Sequence, residues 1–339
     1  MKKGLLLTYL IFLCFIGYSQ DIHFSQYYNT PLNINPALTG AFLEDMRFIG
    51  NYRSQWQSVP VPYLTFSGSF DMKYFHRKFR NGYFAFGGIF NIDQAGDSEL
   101  SLTQLNLSGS YTQILSDNAA MSAGFQFGGG QRSFEMDQLR FENQYDGELF
   151  NPLLDPRESI QNTNVGFIDV AAGVNVFLKS YDGKSRVNVG VGLFHLNRPR
   201  RNFDEEEELR LPMRISLYSF GQRQFSDNMA YLAQVLGQIQ GTAAELVLGG
   251  GLQYQLNKEK GKELAIQFTT SFRHSFTNLD ALIPTFEVHY QSWRMGLSYD
   301  INISDFSTAT NGQGGPEVSL IYVITKVKPV KTFKACPIF

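Results

Sequence analysis

The sequence predicts an all-β chain: a transmembrane antiparallel β-barrel of about fourteen strands, with an N-terminal segment inside its lumen. Three observations predict it. Apolar residues recur with period two along nearly the whole chain, which is the strand signature. After residue 20 no apolar run approaches the length of a membrane-spanning helix. The 30 Phe, 17 Tyr and 31 Gly among 339 residues are the aromatic and small residues that spanning strands use. In hydrocarbon only helices and closed barrels satisfy their own backbone polar groups, and the helices are missing here.

The first element is an export signal. Lys2 and Lys3 precede an apolar stretch from Leu5 to Ile16, and Gly17-Tyr18-Ser19 places small residues where a signal peptidase reads. Residues 1–19 are therefore expected to be a signal peptide, cleaved after Ser19 or Gln20. A membrane anchor would need a longer run. Lipidation at Cys14 is disfavoured by the bulky Leu13 before it and by the apolar stretch that continues past it.

Residues 20–45 are expected to fold into the lumen as a plug, since a fourteen-strand barrel is wider than its own side chains can fill. Pro31, Pro36 and Gly40 suit neither a long helix nor a central strand. Phe24, Tyr27, Tyr28, Leu32, Ile34, Leu38 and Phe42 are too many apolar groups to leave in water. Phe24, Tyr27, Tyr28, Asn35 and Pro36 are the candidate plug residues.

The barrel is expected over 46–326, with strands near 46–55, 63–75, 82–92, 100–114, 119–135, 164–178, 185–198, 210–221, 228–239, 244–256, 263–273, 282–291, 293–302 and 316–326. In one of them Met121, Ala123, Phe125 and Phe127 alternate with Ser122, Gly124 and Gln126. In another, Met295, Leu297 and Tyr299 alternate with Ser298 and Asp300. A soluble sandwich alternates in the same way, so the connections must separate the two. Tight turns such as Ser116-Asp117-Asn118, Tyr181 to Lys184 and Gln291-Ser292 alternate with longer stretches at Met136–Asn162, Arg198–Leu209, His274–Leu282 and Ile303–Gly315. Short periplasmic turns and long external loops are what a transmembrane barrel has. An even strand count puts both termini in the periplasm, and residues 327–339 form a periplasmic tail. Gly87, Gly124, Gly128, Gly173, Gly190, Gly192, Gly249 and Gly251 fall on the lumen parity. They either leave room for the plug's backbone or relieve curvature in the wall.

Chemistry is sparse. Lys and Arg number 29 against 31 Asp and Glu, which implies no attraction to nucleic acid. Cys14 leaves with the signal, so Cys336 stands without an internal disulfide partner, either inert or bonded to another component. The five histidines show no metal-ligand spacing, and no nucleophile elbow or phosphate-cradling loop precedes a helix. Glu287 and His289 share the inward face, where a solvated pair is the ordinary reading and a metal site the rarer one. The triplets at Gly128 and Gly249 lie inside strand patterns and read as bends. No catalytic residue, cofactor or metal is expected. The run Asp204, Glu205, Glu206, Glu207 and Glu208 beside Arg198, Arg200 and Arg201 is the strongest charge feature. Its ordinary reading is a solvated loop; its functional readings are a partner-binding patch or a calcium site.

Several patches resemble a known family. His23-Phe24-Ser25-Gln26-Tyr27-Tyr28, Asn35-Pro36-Ala37-Leu38-Thr39-Gly40 and Asn51-Tyr52-Arg53-Ser54-Gln55-Trp56 open the series. Asp93-Gln94-Ala95-Gly96, Gly192 to Pro199, Ser298-Tyr299-Asp300, Glu317-Val318-Ser319-Leu320 and the tail Cys336-Pro337-Ile338-Phe339 continue it. In order and spacing they resemble the PorP/SprF outer-membrane proteins of Bacteroidetes, although Ile22 stands where the family often has Pro. The resemblance implies a barrel similar to long-chain fatty-acid transporters. It also implies a role in type IX secretion and gliding, supporting the secretion, surface display or anchoring of a large adhesin with a type B C-terminal sorting domain. Partners would be outer-membrane lipids, that adhesin and other components of the secretion system. The rival function is an outer-membrane transporter or porin for a small solute, hydrophobic ones included.

Overall fold

Alternating segments of 10 to 17 residues are long enough to cross a bilayer when tilted, and fourteen of them pair into one sheet. The computed structural model describes residues 21–325, apart from 56–62, 75–80, 97–99, 136–138, 140, 146, 148, 152, 155–161, 201–202, 204–208, 276–278, 305–306 and 308–311. The expected signal peptide, the acidic run from Asp204 to Glu208, Cys336 and the tail lie outside the described residues.

The strands are β1 (Met46–Gln55), β2 (Tyr63–Tyr74), β3 (Gly82–Ala95), β4 (Leu100–Ser116), β5 (Ala119–Ser133), β6 (Asn164–Lys179) and β7 (Ser185–Phe194). They continue as β8 (Arg214–Gln224), β9 (Met229–Gln240), β10 (Ala243–Asn257), β11 (Leu264–Ser275), β12 (Leu279–Tyr290), β13 (Trp293–Asn302) and β14 (Gln313–Ile324). Every neighbour in sequence is an antiparallel neighbour in space, and β1 closes on β14 from Met46↔Ile324 to Arg53↔Glu317. Closure removes the two edges that an open sheet of this size would expose.

Polarity separates this barrel from a soluble sandwich. Phe48, Phe86, Leu107, Phe125, Leu217 and Met295 point outward and are exposed. Asn51, Ser67, Asn91, Gln104, Ser122 and Gln126 point inward and are buried. Apolar outside and polar inside is the arrangement of a sheet whose outer solvent is hydrocarbon. At the end carrying the start of β1 and the end of β14, outward aromatics form a girdle. Phe48 lies 4.7 Å from Phe70, and Trp293 4.4 Å from Tyr322, between ring centroids. Such belts sit where chain and headgroup regions meet. Among the described residues no helix is long and apolar enough to cross a membrane.

The strands follow the expected order and number, with three local differences. β7 stops at Phe194 rather than running to residue 198, because His195 (φ 57°) and Arg198 (φ 44°) take left-handed backbone that breaks an extended run. β8 starts at Arg214 rather than at 210, after Leu211 and Pro212. The expected irregular loop from His274 to Leu282 is shorter, since β11 reaches Ser275 and β12 begins at Leu279. With Gly241 (φ 60°) and Thr242 joining β9 to β10, the end opposite the termini carries short links as well as long ones. Loop length therefore does not alternate strictly between the two ends.

Candidate functional site in the barrel lumen

Residues 21–45 run inside the wall, from Asp21 beside His195 and Arg214 at the far end to Asp45, whose amide donates to the carbonyl of Ile324 at the near end. The local sequence explains their compact path. Three short turns follow one another: a 3-10 turn at Tyr27–Asn29, a helical turn at Pro31–Ile34 and a 3-10 turn at Pro36–Leu38. Proline opens the second and third, where its missing N–H costs nothing. The carboxamide oxygen of Asn35 caps the third by accepting from the Ala37 amide at 2.8 Å. Gly40 (φ 70°) then turns the chain toward β1, and a Cβ there would lie 2.3 Å from that of Ala85.

The candidate residues divide the work between apolar packing and hydrogen bonding. Tyr27, Ile34 and Leu38 pack with Tyr218, Leu236 and Val247 of β8, β9 and β10. Ile22 and Phe24 pack with Leu102 and Phe167 on the other side. Each such side chain contributes about 1.5–3 kcal/mol on burial. Tyr28 is half-buried, and its hydroxyl donates to Glu287 at 2.6 Å. Asn35 is fully buried and donates to the Val174 carbonyl at 2.8 Å and the Tyr218 hydroxyl at 3.0 Å. Pro36 lies against β5: a Cβ at Gly124 would come within 2.4 Å of its carbonyl.

That contact sorts the inward glycines. Added Cβ atoms at Gly124, Gly173 and Gly192 would strike Pro36, the Asn35 carboxamide and the Ile34 carbonyl, so these three admit the segment. At Gly87, Gly128, Gly249 and Gly251 the nearest atoms belong to the neighbouring strands, so there glycine serves the close curvature of the wall.

Charged groups fasten the first half of the segment. Glu317 of β14 accepts the amides of Ser25 at 2.7 Å and Gln26 at 2.8 Å. Asp300 of β13 accepts from the Ser25 hydroxyl at 2.7 Å, from Arg53 at 2.7 Å and from Arg273 at 2.9 Å. Arg53 reaches on to the His23 carbonyl at 2.7 Å. Lower down, Asp71 pairs with Arg47 and accepts from the Gly40 amide, each at 2.8 Å.

At the far end His195 stands between two carboxylates, with Nδ1 2.9 Å from Asp169 and Nε2 2.9 Å from Asp21. Burial works against the Asp21 carboxylate, but Arg214 and His195 outweigh it and hold the group well below the usual range. Burial likewise opposes the His195 imidazolium, yet the Asp21 charge and the hydrogen bonds of Asp169 and Asp21 raise it to about 9. A raised imidazole adds stability in full below its unfolded value of 6.5 and loses it as pH climbs through about 9. The urea midpoint of the barrel in lipid vesicles should therefore fall over that interval, and His195→Gln should abolish the step. A midpoint with the same pH profile in both proteins would refute the role given to this pair.

The sequence places Asp300 on the inner face, and Arg53, His195, Asp300 and Glu317 stand within the family-resembling patches with no role given to any of them; Asp169 and Arg214 go unremarked. A signal was available: ionisable residues at inward parity within strands are costly unless paired or functional. The Glu287–His289 pair differs from the solvated pair expected. The two groups meet at 3.0 Å, but Glu287 is 4 % exposed because Tyr28 and Asn29 cover it. Beside Asp21 the described lumen holds cavities of about 10 and 20 Å³. A single water needs about 10–15 Å³, so neither admits a larger solute.

Known structures share the architecture. A mutant of the monoaromatic hydrocarbon channel TodX matches with a TM-score of 0.50 and 9% identity, over 86% of this chain and 93% of that one. The toluene transporter TbuX of Ralstonia pickettii (0.48, 12%, 86% and 92%) and a FadL homologue of Pseudomonas aeruginosa (0.48, 10%, 85% and 92%) are also similar. At 9% identity the TodX likeness shows the fold alone. No curated protein sequence matches the chain. The profile of the family described as type IX secretion system membrane protein PorP/SprF matches residues 16–322, from ahead of the lumen segment into β14. The chain therefore belongs to the PorP/SprF family of type IX secretion system membrane proteins.

Proposed function

We propose that this barrel supports the secretion, surface display or anchoring of a large adhesin carrying a type B C-terminal sorting domain, with residues 21–45 as its lumen plug and both termini in the periplasm. The observation that carries the reading is the family profile, which spans the lumen segment and nearly the whole barrel. The packing adds to it. A segment fastened to walls as far apart as Ser122 in β5 and Glu317 in β14 fills the path that a small solute would take. The cavities beside Asp21, about 10 and 20 Å³, are too small for an aromatic or fatty-acid cargo, which adds to the case against a small-solute transporter. The protein then acts as a closed platform in the outer membrane, with its work on outer surfaces rather than through the bore.

Deleting the chain should abolish surface display of the adhesin, read by antibody labelling of intact cells, while other secreted enzymes leave at nearly normal levels. Normal display in the deletion strain would remove the adhesin reading.

A further inference from the structure

β6 outruns its neighbour. Its ladder with β5 extends from Ala119↔Leu178 to Ser133↔Asn164, but β7 covers it only from Lys179↔Arg186 to Ala172↔Leu193. Among the described residues, 164–171 thus have a strand on one side and none on the other. The cause lies at His195, whose side chain is drawn inward by Asp169 and Asp21 and whose left-handed backbone carries the chain off β6.

In an antiparallel ladder, alternate residues direct their amide and carbonyl toward alternate neighbours. Two contacts set the phase here. The Val170 carbonyl accepts from the Leu196 amide at 3.0 Å, and the Ile168 carbonyl accepts from the Asn197 carboxamide at 2.7 Å. Even-numbered residues therefore face the gap. Asn197 stands where the amide of a further strand would be. Beyond it the Ile168 amide and both backbone groups of Gly166 point into the gap, with no strand beside them among the described residues.

The outer wall dips at the same place. A shallow, open cleft is floored by Leu105, Gly129, Gly166 and Ile168 and bounded by Asn197, Pro199 and Arg200. Internal packing does not require glycine at 166, since a Cβ there would find its nearest atom 4.0 Å away. A bare backbone with room above it suits the approach of another backbone. Lipid chains have no groups to pair with amides and carbonyls, whereas an extended polypeptide has both at the spacing of the edge.

The geometry points to the β6 edge at residues 164–168 as a strand-addition site, which takes an extended segment of the adhesin's sorting domain through main-chain hydrogen bonds. This rests on the secretion reading proposed above. The Asn197 carboxamide gives way to the incoming amide, and alternate side chains of the guest lie in the cleft against Leu105 and Ile168.

The test co-produces the full chain with the sorting domain. A photo-crosslinking residue is placed at Ile168, or at Tyr299, which faces outward on β13 across the barrel. Crosslinks should form at 168 and not at 299. Gly166→Pro should abolish them. It removes an amide that serves no bond to β5, so the barrel should still assemble and show heat-modifiable migration. Gly166→Ala keeps that amide and should leave crosslinking unchanged. Gly166→Trp fills the cleft from its floor and should abolish it without touching a hydrogen bond, which covers the case where the proline variant fails to assemble. Crosslinks that survive both disruptive variants, or that form equally at 299, would overturn the edge site while leaving the secretion reading intact. A sorting domain that never co-purifies with the parent chain would overturn both.

Discussion

Removal of residues 21–40 is expected to turn a closed barrel into a conducting one. A sheet of fourteen strands encloses more volume than its own inward side chains occupy. In this wall the inward residues near the segment include glycines at 124, 173 and 192, which leave the space that Ile34, Asn35 and Pro36 occupy. Deletion takes away the buried Tyr27, Leu32, Ile34 and Leu38 as well, so nothing on the wall can reach across the opening. The barrel should survive the loss. Its ladder closes through β1 and β14 without help from the segment, and the groups left behind, among them Ser67, Asn91, Ser122 and Glu317, are polar and readily hydrated. Planar-bilayer recordings of parent and deletion mutant make the comparison. An assembled mutant that stays as impermeable as the parent would refute the plug.

The second large effect is expected from Asp300→Ala. Asp300 is 1 % exposed and receives Arg53, Arg273 and the Ser25 hydroxyl together. Taking away the carboxylate leaves two guanidinium groups facing each other out of reach of bulk water. Breaking a buried pair in this way costs about 3–5 kcal/mol, more than the pair itself contributes, because the remaining charges stay desolvated. Asp280, 2.6 Å from Arg273, and Glu317, 3.8 Å from Arg53, offset part of this, so the loss should fall toward the lower end of that range. Asp300→Asn should fall between parent and alanine variant, since it keeps the shape and one acceptor but not the charge. Urea unfolding in lipid vesicles gives the three stabilities. An alanine variant within about 0.5 kcal/mol of the parent would place it among ordinary surface substitutions and show that water reaches the cluster.

The strands were legible because a barrel wall has two different solvents. Phe125 must face lipid and Gln126 must face the lumen, so the alternation is written residue by residue and survives any choice of partner strand. Strand ends were less legible. β7 stops at Phe194 because His195 is pulled into the lumen by Asp169 and Asp21, which lie 26 and 174 residues away along the chain. Nothing local in Gly192 to Pro199 announces that pull. The link after Ser275 was overestimated for a related reason. Ala281 and Ile283 are buried on the lumen side, so apolar residues stand where an inward parity leads one to expect polar ones. Within the candidate site, the prolines and aromatics of 21–45 argued against a free tail. Inward ionisable residues such as Glu317, Asp300 and Arg53 signal that partners are needed, but which groups meet could not be read, since each sits on a different strand.

By itself, then, the sequence determined the class of the fold, the number and order of the strands, the face each residue presents, and the family. All of these follow from periodicity and motif order, which are properties of short stretches and their succession. Only the tertiary structure decided which inward glycines admit the segment and which merely curve the wall. It also decided which carboxylates meet which guanidinium groups, and that β6 stands taller than β7. Those facts depend on register around a closed ring, where Ser25 meets residues 275 and 292 positions further on. A pattern with a period of two residues cannot carry information over that separation; closure of the barrel brings the groups together, and desolvation inside it makes each pairing count.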